Sequence, residues 1–166
     1  MSRDVQIQRR DAQPYAAISE RVTMDTLSGA VDQAFPELFG WLAEQAVAPT
    51  GPPFIRYLVI DMAAELQIEL GVPVGMKIGG GGRILTGVLP AGRYVVLRHV
   101  GPYDGLAASN AALQQWAQEQ QITLDSRDTP DGMAWRGRVE HYLTNPATEA
   151  DPSKWEVDVA YLASEL

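Results

Sequence analysis

The chain repeats itself. Trp41-Leu42-Ala43-Glu44-Gln45 and Trp116-Ala117-Gln118-Glu119-Gln120 agree at Trp, Glu and Gln. At the same offset Val31 and Leu38 fall on Leu106 and Leu113, so two apolar helix faces coincide. Further on, Arg56-Tyr57-Leu58 matches His141-Tyr142-Leu143, and Gln67-Ile68-Glu69-Leu70 matches Glu156-Val157-Asp158-Val159. An ordered series through helix, strand and strand points to duplication of one unit. The offset grows toward the C-terminus because the loops of the second half are longer.

Local patterning gives the unit its elements. Asp4 to Arg10 alternates Val5 and Ile7 with Gln6 and Gln8, the period of a half-buried strand, and Tyr15 to Val22 resumes as strand after a turn. A helical stretch runs from about Thr26 to Ala46; Pro36 lies inside it, so the helix either starts near Pro36 or kinks there. Phe54 to Ile60 and Leu66 to Val74 read as strands, and the glycine run within Lys77 to Arg83 reads as a linker. The second half repeats the order: strands at Ile84 to Leu89 and Arg93 to Val100, a helix at about Leu106 to Gln121, and a polar loop at Thr123 to Gly132. Strands at Ala134 to Thr144 and Trp155 to Ala163 complete it.

Each half is therefore β-α-β-β, residues 4–76 and 84–166 on either side of the linker. A small sheet with one helix cannot bury both faces, so the halves are expected to pack together. The expected fold is α+β: a single domain with pseudo-twofold symmetry, an antiparallel sheet and two helices on one face. The seam between the halves is the expected ligand cleft. Hydrophobic residues at 46 % and charged residues at 20 % suit a globular domain. The net charge of −8 disfavours binding to nucleic acid or to an anionic membrane, and favours cationic ligands. Cysteine is absent, which removes disulfides and thiolate metal sites. The first residues carry no apolar signal region and no stretch is long enough to span a bilayer, so a cytoplasmic protein is expected.

The order β-α-β-β twice, with Leu97-Arg98-His99-Val100-Gly101-Pro102-Tyr103 before the second helix and Glu140-His141-Tyr142-Leu143 on the penultimate strand, resembles the GyrI-like family. Gln67 to Val74 and Glu156 to Val159 are similar to its closing strands, and the resemblance covers about Val5 to Leu162. That family includes the effector-binding domains of AraC-type and MerR-type multidrug-responsive activators. The resemblance implies a glutamate at the bottom of an aromatic pocket that meets lipophilic cations, and Glu140 matches it. Tyr142 and Trp155 match aromatic residues around that pocket. The activators also carry a DNA-binding domain, which has no counterpart here. Other members are a gyrase-inhibitory protein and hydrolases of cyclopropane-bearing toxins.

Residue by residue, Glu140 shares a strand face with Arg138 and Tyr142, and Val139, His141 and Leu143 share the other. The Val139/Leu143 face is expected under the helices, which leaves Glu140 on the cleft side. Tyr57, Tyr142, Trp135 and Trp155 are the candidate aromatic wall. Trp41 and Trp116, on matching apolar helix faces, are assigned to the core. His99 and His141 lack metal-ligand spacing and are read as structural. Ser28 and Ser109 show no histidine or carboxylate partner, so a serine nucleophile is not expected. The glycine run is followed by no Gly-Lys-Ser/Thr and is no phosphate loop. The expectation is a binding module rather than an enzyme, with ligand-binding residues Glu140, Tyr142, Tyr57, Trp155 and Trp135, a bulky lipophilic cation as partner, and neither metal nor cofactor. Two alternatives remain: hydrolysis with Glu140 as acid/base, and inhibition of a protein partner through the outer surface.

Overall fold

The computed structural model describes residues 5–61 and 63–164; Asp4, where the first strand is expected to begin, lies outside them. The elements are β1 (Val5–Arg10), β2 (Gln13–Val22), α1 (Leu27–Glu44), β3 (Phe54–Ile60), β4 (Leu66–Pro73), β5 (Ile84–Leu89) and β6 (Gly92–Val100). They continue with a 3-10 turn (Tyr103–Gly105), α2 (Leu106–Glu119), β7 (Ser126–Thr129), β8 (Gly132–Trp135), β9 (Arg138–Tyr142) and β10 (Glu156–Leu162).

The helices form where the apolar spacing demands. In α1, Ala34, Leu38 and Leu42 are buried four residues apart. The helix runs on through Pro36, which is exposed, so the Asp32 carbonyl that loses its helical donor faces water. Both helices end alike. Ala46 and Gln121 take positive φ values of 56° and 59°, and the next N–H, of Val47 or Ile122, donates back to the carbonyl of Leu42 or Ala117. This is a Schellman ending built without glycine, at matching positions of the two halves.

The strands form one ten-stranded sheet with the path β1-β6-β10-β9-β3-β4-β2-β5, and β8 extends β3 with β7 beyond it. Strands β9 and β3 meet at the centre, flanked by β10 and β4 and then by β6 and β2, so corresponding strands of the two halves lie at equal distances from the middle. One line of paired residues crosses the whole sheet: Val5, Leu97, Val159, Glu140, Ile55, Leu70, Ile18 and Ile84. These side chains share a face. Both helices cover that face, α1 packing on Ile18, Ile55 and Leu70, and α2 on Leu97 and Val159.

Three sequence expectations change. Residues 123–132 are not all loop, because Ser126–Thr129 pairs with Gly132–Trp135 as a hairpin. The single strand expected over Ala134 to Thr144 is split at Arg136-Gly137: β8 runs with β7 and the end of β3, while β9 runs between β10 and β3. Gly137 lies so close to Leu162 that a Cβ there would sit 2.6 Å from the leucine Cβ. The glycine run, which joins β4 to β5, ends in a tight turn. Gly81 pairs with Ile84, Gly82 has φ +57°, and a Cβ on Gly80 would meet the Ile84 carbonyl oxygen at 2.4 Å.

Strands β1 and β2 do not pair with each other, although only Asp11 and Ala12 separate them. The same holds for β5 and β6 across Pro90-Ala91. Each two-residue link joins an edge strand to the strand beside the opposite edge, so the two sides of the sheet are held close and the sheet must curl. The face away from the helices becomes the inside of that curl. It is lined by Tyr15, Ala17, Phe54, Leu89 and Val139, with Tyr94, Val96, Ala160 and Leu162 as a second cluster. Val139 thus packs on the inner face and not under the helices, reversing the expected assignment of the two faces of β9.

His141 follows Val139 to the inner face. Its ring lies 5.8 Å from Phe54, and Arg10 Nη1 donates to its Nε2 at 3.1 Å. Burial, and then the Arg10 charge, hold its pKa down at about 4. The unfolded chain therefore takes up this proton first as pH falls, and the associated stability is present above about pH 6.5 and lost toward pH 4. Urea unfolding from pH 7 to pH 4 is expected to show wild type losing up to about 3 kcal/mol more than His141→Gln, carboxylate effects being common to both. Parallel curves for the two proteins would show that His141 is not buried neutral.

Candidate functional site

Within the aliphatic line across the sheet, Glu140 is the polar member. In the alignment of the two halves its counterpart is Ile55, the residue it pairs with at the centre of the sheet. The glutamate is 5 % exposed. Its Oε1 accepts from Tyr57 Oη at 2.8 Å and from Tyr142 Oη at 2.7 Å. Its Oε2 accepts from Asn110 Nδ2 at 3.0 Å, on α2. The tyrosines are counterparts on β3 and β9, and the alternation of each strand turns them to the helix side with Glu140. Burial first, then the carboxylate, push both phenols well above their usual pKa, so they remain donors. Every donor to Glu140 is neutral. They orient the carboxylate and supply no opposite charge.

Arg138, two residues before Glu140 on β9, is linked to it through Asn110. Arg138 Nη2 reaches Asn110 Oδ1 at 3.5 Å, so Asn110 bridges the arginine and the glutamate. Among the described residues Arg138 forms no ion pair, and its Nε is buried without a hydrogen-bond partner. Its guanidinium lies instead over aromatic rings: 4.9 Å from the centroids of Trp135 and Tyr161, and 5.6 Å from Tyr57. Tyr161 donates to Asn110 Oδ1 at 2.6 Å and closes the network. Glu140 is therefore neither a solvated strand residue nor, among the described residues, ion-paired with Arg138.

The expected aromatic set divides in two. Tyr57 and Tyr142 touch Glu140, while Trp135 backs Arg138. Trp155 lies farther out, its ring 4.8 Å from Tyr103, which stands 5.6 Å from Tyr142. The row Tyr142, Tyr103 and Trp155 leads from the carboxylate to the partly exposed rim. Tyr103, Asn110 and Tyr161 were not singled out by the sequence. Tyr103 follows the Gly101-Pro102 turn, a position that could have drawn attention, but the two others needed the packing of α2 over β10. Trp41 and Trp116 pack against the clusters beneath their own helices.

Ser109 has the histidine partner that the sequence did not reveal. His99 Nε2 lies 2.9 Å from the Pro102 carbonyl, which can only accept, so that nitrogen carries the proton. Nδ1 is hydrogen-bonded to Ser109 Oγ at 2.8 Å. Ser109 is 0 % exposed, so the pair anchors the start of α2 to β6 and is closed to a substrate. Among the described residues no three His, Asp or Glu side chains gather to share a metal ion.

Similar solved structures share this fold. The crystal structure of the EcmrR C-terminal domain matches with a TM-score of 0.79 and 17 % identity, covering 100 % of both chains. The longer EcmrR chain in its DNA complex gives a TM-score of 0.79 at 18 % identity; the match covers 98 % of this chain and 58 % of that one. SAV2435 bound to tetraphenylphosphonium matches with a TM-score of 0.67 and 12 % identity, over 98 % of this chain and 94 % of that one. A protein described as a hydrolase from Listeria innocua matches with a TM-score of 0.65 and 15 % identity, over 98 % and 92 %. No curated protein sequence matches the chain significantly. The family model of the GyrI-like small molecule binding domain matches residues 3–161, and with the ten-stranded sheet and its two helices this places the chain in the GyrI-like family.

Proposed function

We propose that the chain binds a bulky lipophilic cation at the seam between its halves, with Glu140 as the electrostatic anchor and Tyr57, Tyr142, Tyr103 and Trp155 as the wall. The observation that carries this reading is the carboxylate buried beneath the helices with only neutral donors. Such a charge is costly to desolvate and gains most from a partner cation held in the same dry surroundings. The aromatic rings add attraction for a cation and area for its apolar body. A similar fold that holds tetraphenylphosphonium supports the choice of ligand class. Trp135 belongs to this reading through Arg138, whose place over three rings it shares. The seam itself is read as the product of a duplicated β-α-β-β unit, in which exchange of Ile55 for Glu140 made one side of the centre polar.

Access requires movement. Tyr142, Asn110 and the first turn of α2 cover the carboxylate, so a ligand must displace at least one of the donors to Glu140. The protein cation Arg138 already serves the negative site through Asn110, and an arriving ligand cation competes with it.

Two titrations test this. Tetraphenylphosphonium is expected to bind Glu140→Gln about tenfold to a hundredfold more weakly than wild type, while neutral triphenylphosphine oxide changes little. Equal losses for the two ligands, or none for the cation, would remove Glu140 from the site. Arg138→Gln is expected to lower the thermal midpoint without ligand and to raise phosphonium affinity up to about tenfold. That gain should vanish in the Glu140→Gln background. A gain that persists there would mean that Arg138 blocks space and does not compete for charge.

A further inference from the structure

A cavity lies on the face of the sheet away from the helices. It has a volume of about 450 Å³, within the range of small-ligand pockets, and opens where the two edges of the curled sheet are tied together. Its apolar wall includes Phe54, Leu89, Tyr94 and Val139, and its polar end is formed by Arg10 and His141. None of these residues takes part in the Glu140 network, because the strand alternation that turns Glu140 toward α2 turns Val139 and His141 away from it.

Arg10 is the informative group. It crosses the inside of the curl from β1 to β9, with its guanidinium 5.1 Å from the centroid of Tyr94. Its Nε and Nη2 donate to Gln8 Oε1, and its Nη1 donates to His141 Nε2. The acceptors are all neutral, and the remaining N–H groups have no partner among the described residues. Arg10 also forms no direct ion pair among the described residues; Asp158, opposite His141 on β10, acts on it only at longer range and is itself paired with Arg98. Two further arginines on this face are different: Arg56 lies 3.7 Å from the carboxylate of Glu69 and donates to Tyr15 Oη and the Arg136 carbonyl, and Arg98 is paired with Asp158 and Glu156. A largely desolvated guanidinium with spare donors, over a ring and beside a cavity, matches an anion.

We infer that this inner cavity is a second ligand site, for a monoanionic aromatic or aliphatic carboxylate whose charged end meets Arg10 and whose apolar body lies against Phe54, Tyr94 and Leu89. A single charge is favoured over a dianion such as a phosphate monoester, because Arg10 is alone. His141 is neutral there, and Asp158 beside it and Asp11 at the exposed rim add negative charge. The site is independent of the seam, so one chain presents a carboxylate to cations on one face of its sheet and a guanidinium to anions on the other.

The probe is 2-naphthoate, with neutral 2-naphthamide as its control, titrated by calorimetry. Wild type is expected to bind naphthoate, and naphthamide at least about tenfold more weakly. Arg10→Gln should lose at least about tenfold toward naphthoate and change little toward naphthamide. Ala12→Trp, a change at an exposed position on the cavity rim, should block naphthoate whether or not Arg10→Gln folds. Glu140→Gln should leave naphthoate binding unchanged. The inference is overturned if wild type does not bind naphthoate or binds naphthamide as well. Full naphthoate affinity in folded Arg10→Gln or in Ala12→Trp, or its loss in Glu140→Gln, would overturn it equally.

Discussion

A carboxylate set into an otherwise aliphatic line of a central sheet governs this molecule. Seven apolar residues paired with it from strand to strand build the floor on which both helices rest, and Glu140 interrupts that floor at its middle. A buried carboxyl group in that position demands hydrogen bonds, and the surroundings supply them. Tyr57 and Tyr142 come from the two central strands, and Asn110 is brought over by α2. The need to satisfy one charge thus couples β3, β9 and α2. The same need makes their junction the place where a ligand has most to offer.

The closure of the sheet gives the fold two different interiors. On the helix side, alternate residues of each strand bury against α1 and α2. On the other side, the two-residue links at Asp11-Ala12 and Pro90-Ala91 draw the edges together and enclose Tyr15, Phe54, Tyr94 and Val139. Adjacent residues of β9 therefore serve opposite surfaces: Glu140 and Tyr142 the seam, Val139 and His141 the inner curl. The anchoring of α2 by His99 and Ser109 adds a third fixed point, which ties the helix start to β6.

Much of this was legible in the sequence because it rests on periodicity. Apolar spacing marked both helices, with buried faces around Leu38 and Leu113, and the strands on either side of each; the structure sets two strands before each helix where the expected unit counted one. What escaped depends on chain closure. Val139 looked like a residue to place under the helices, because nothing local shows that a sheet will curl and bury its second face too. The hairpin at Ser126–Thr129 is polar, so no apolar alternation marked it. Tyr161 and Asn110 meet only after α2 packs over β10, and Ser109 meets His99 for the same reason. One signal was present but unread: in the aligned halves, Glu140 stands where the first half has Ile55, and a charge replacing an aliphatic residue at the centre of a sheet marks a site.

The central claim is that Glu140 gives up its neutral donors to a ligand cation, and a crystal structure with tetraphenylphosphonium bound tests it most directly. The account predicts the phosphonium at the seam, its rings against Tyr57 and Tyr142, with Tyr142 or Asn110 no longer bonded to Glu140 and Arg138 no nearer the carboxylate than before. A phosphonium found elsewhere, with both tyrosines and Asn110 still bonded to Glu140, would contradict it.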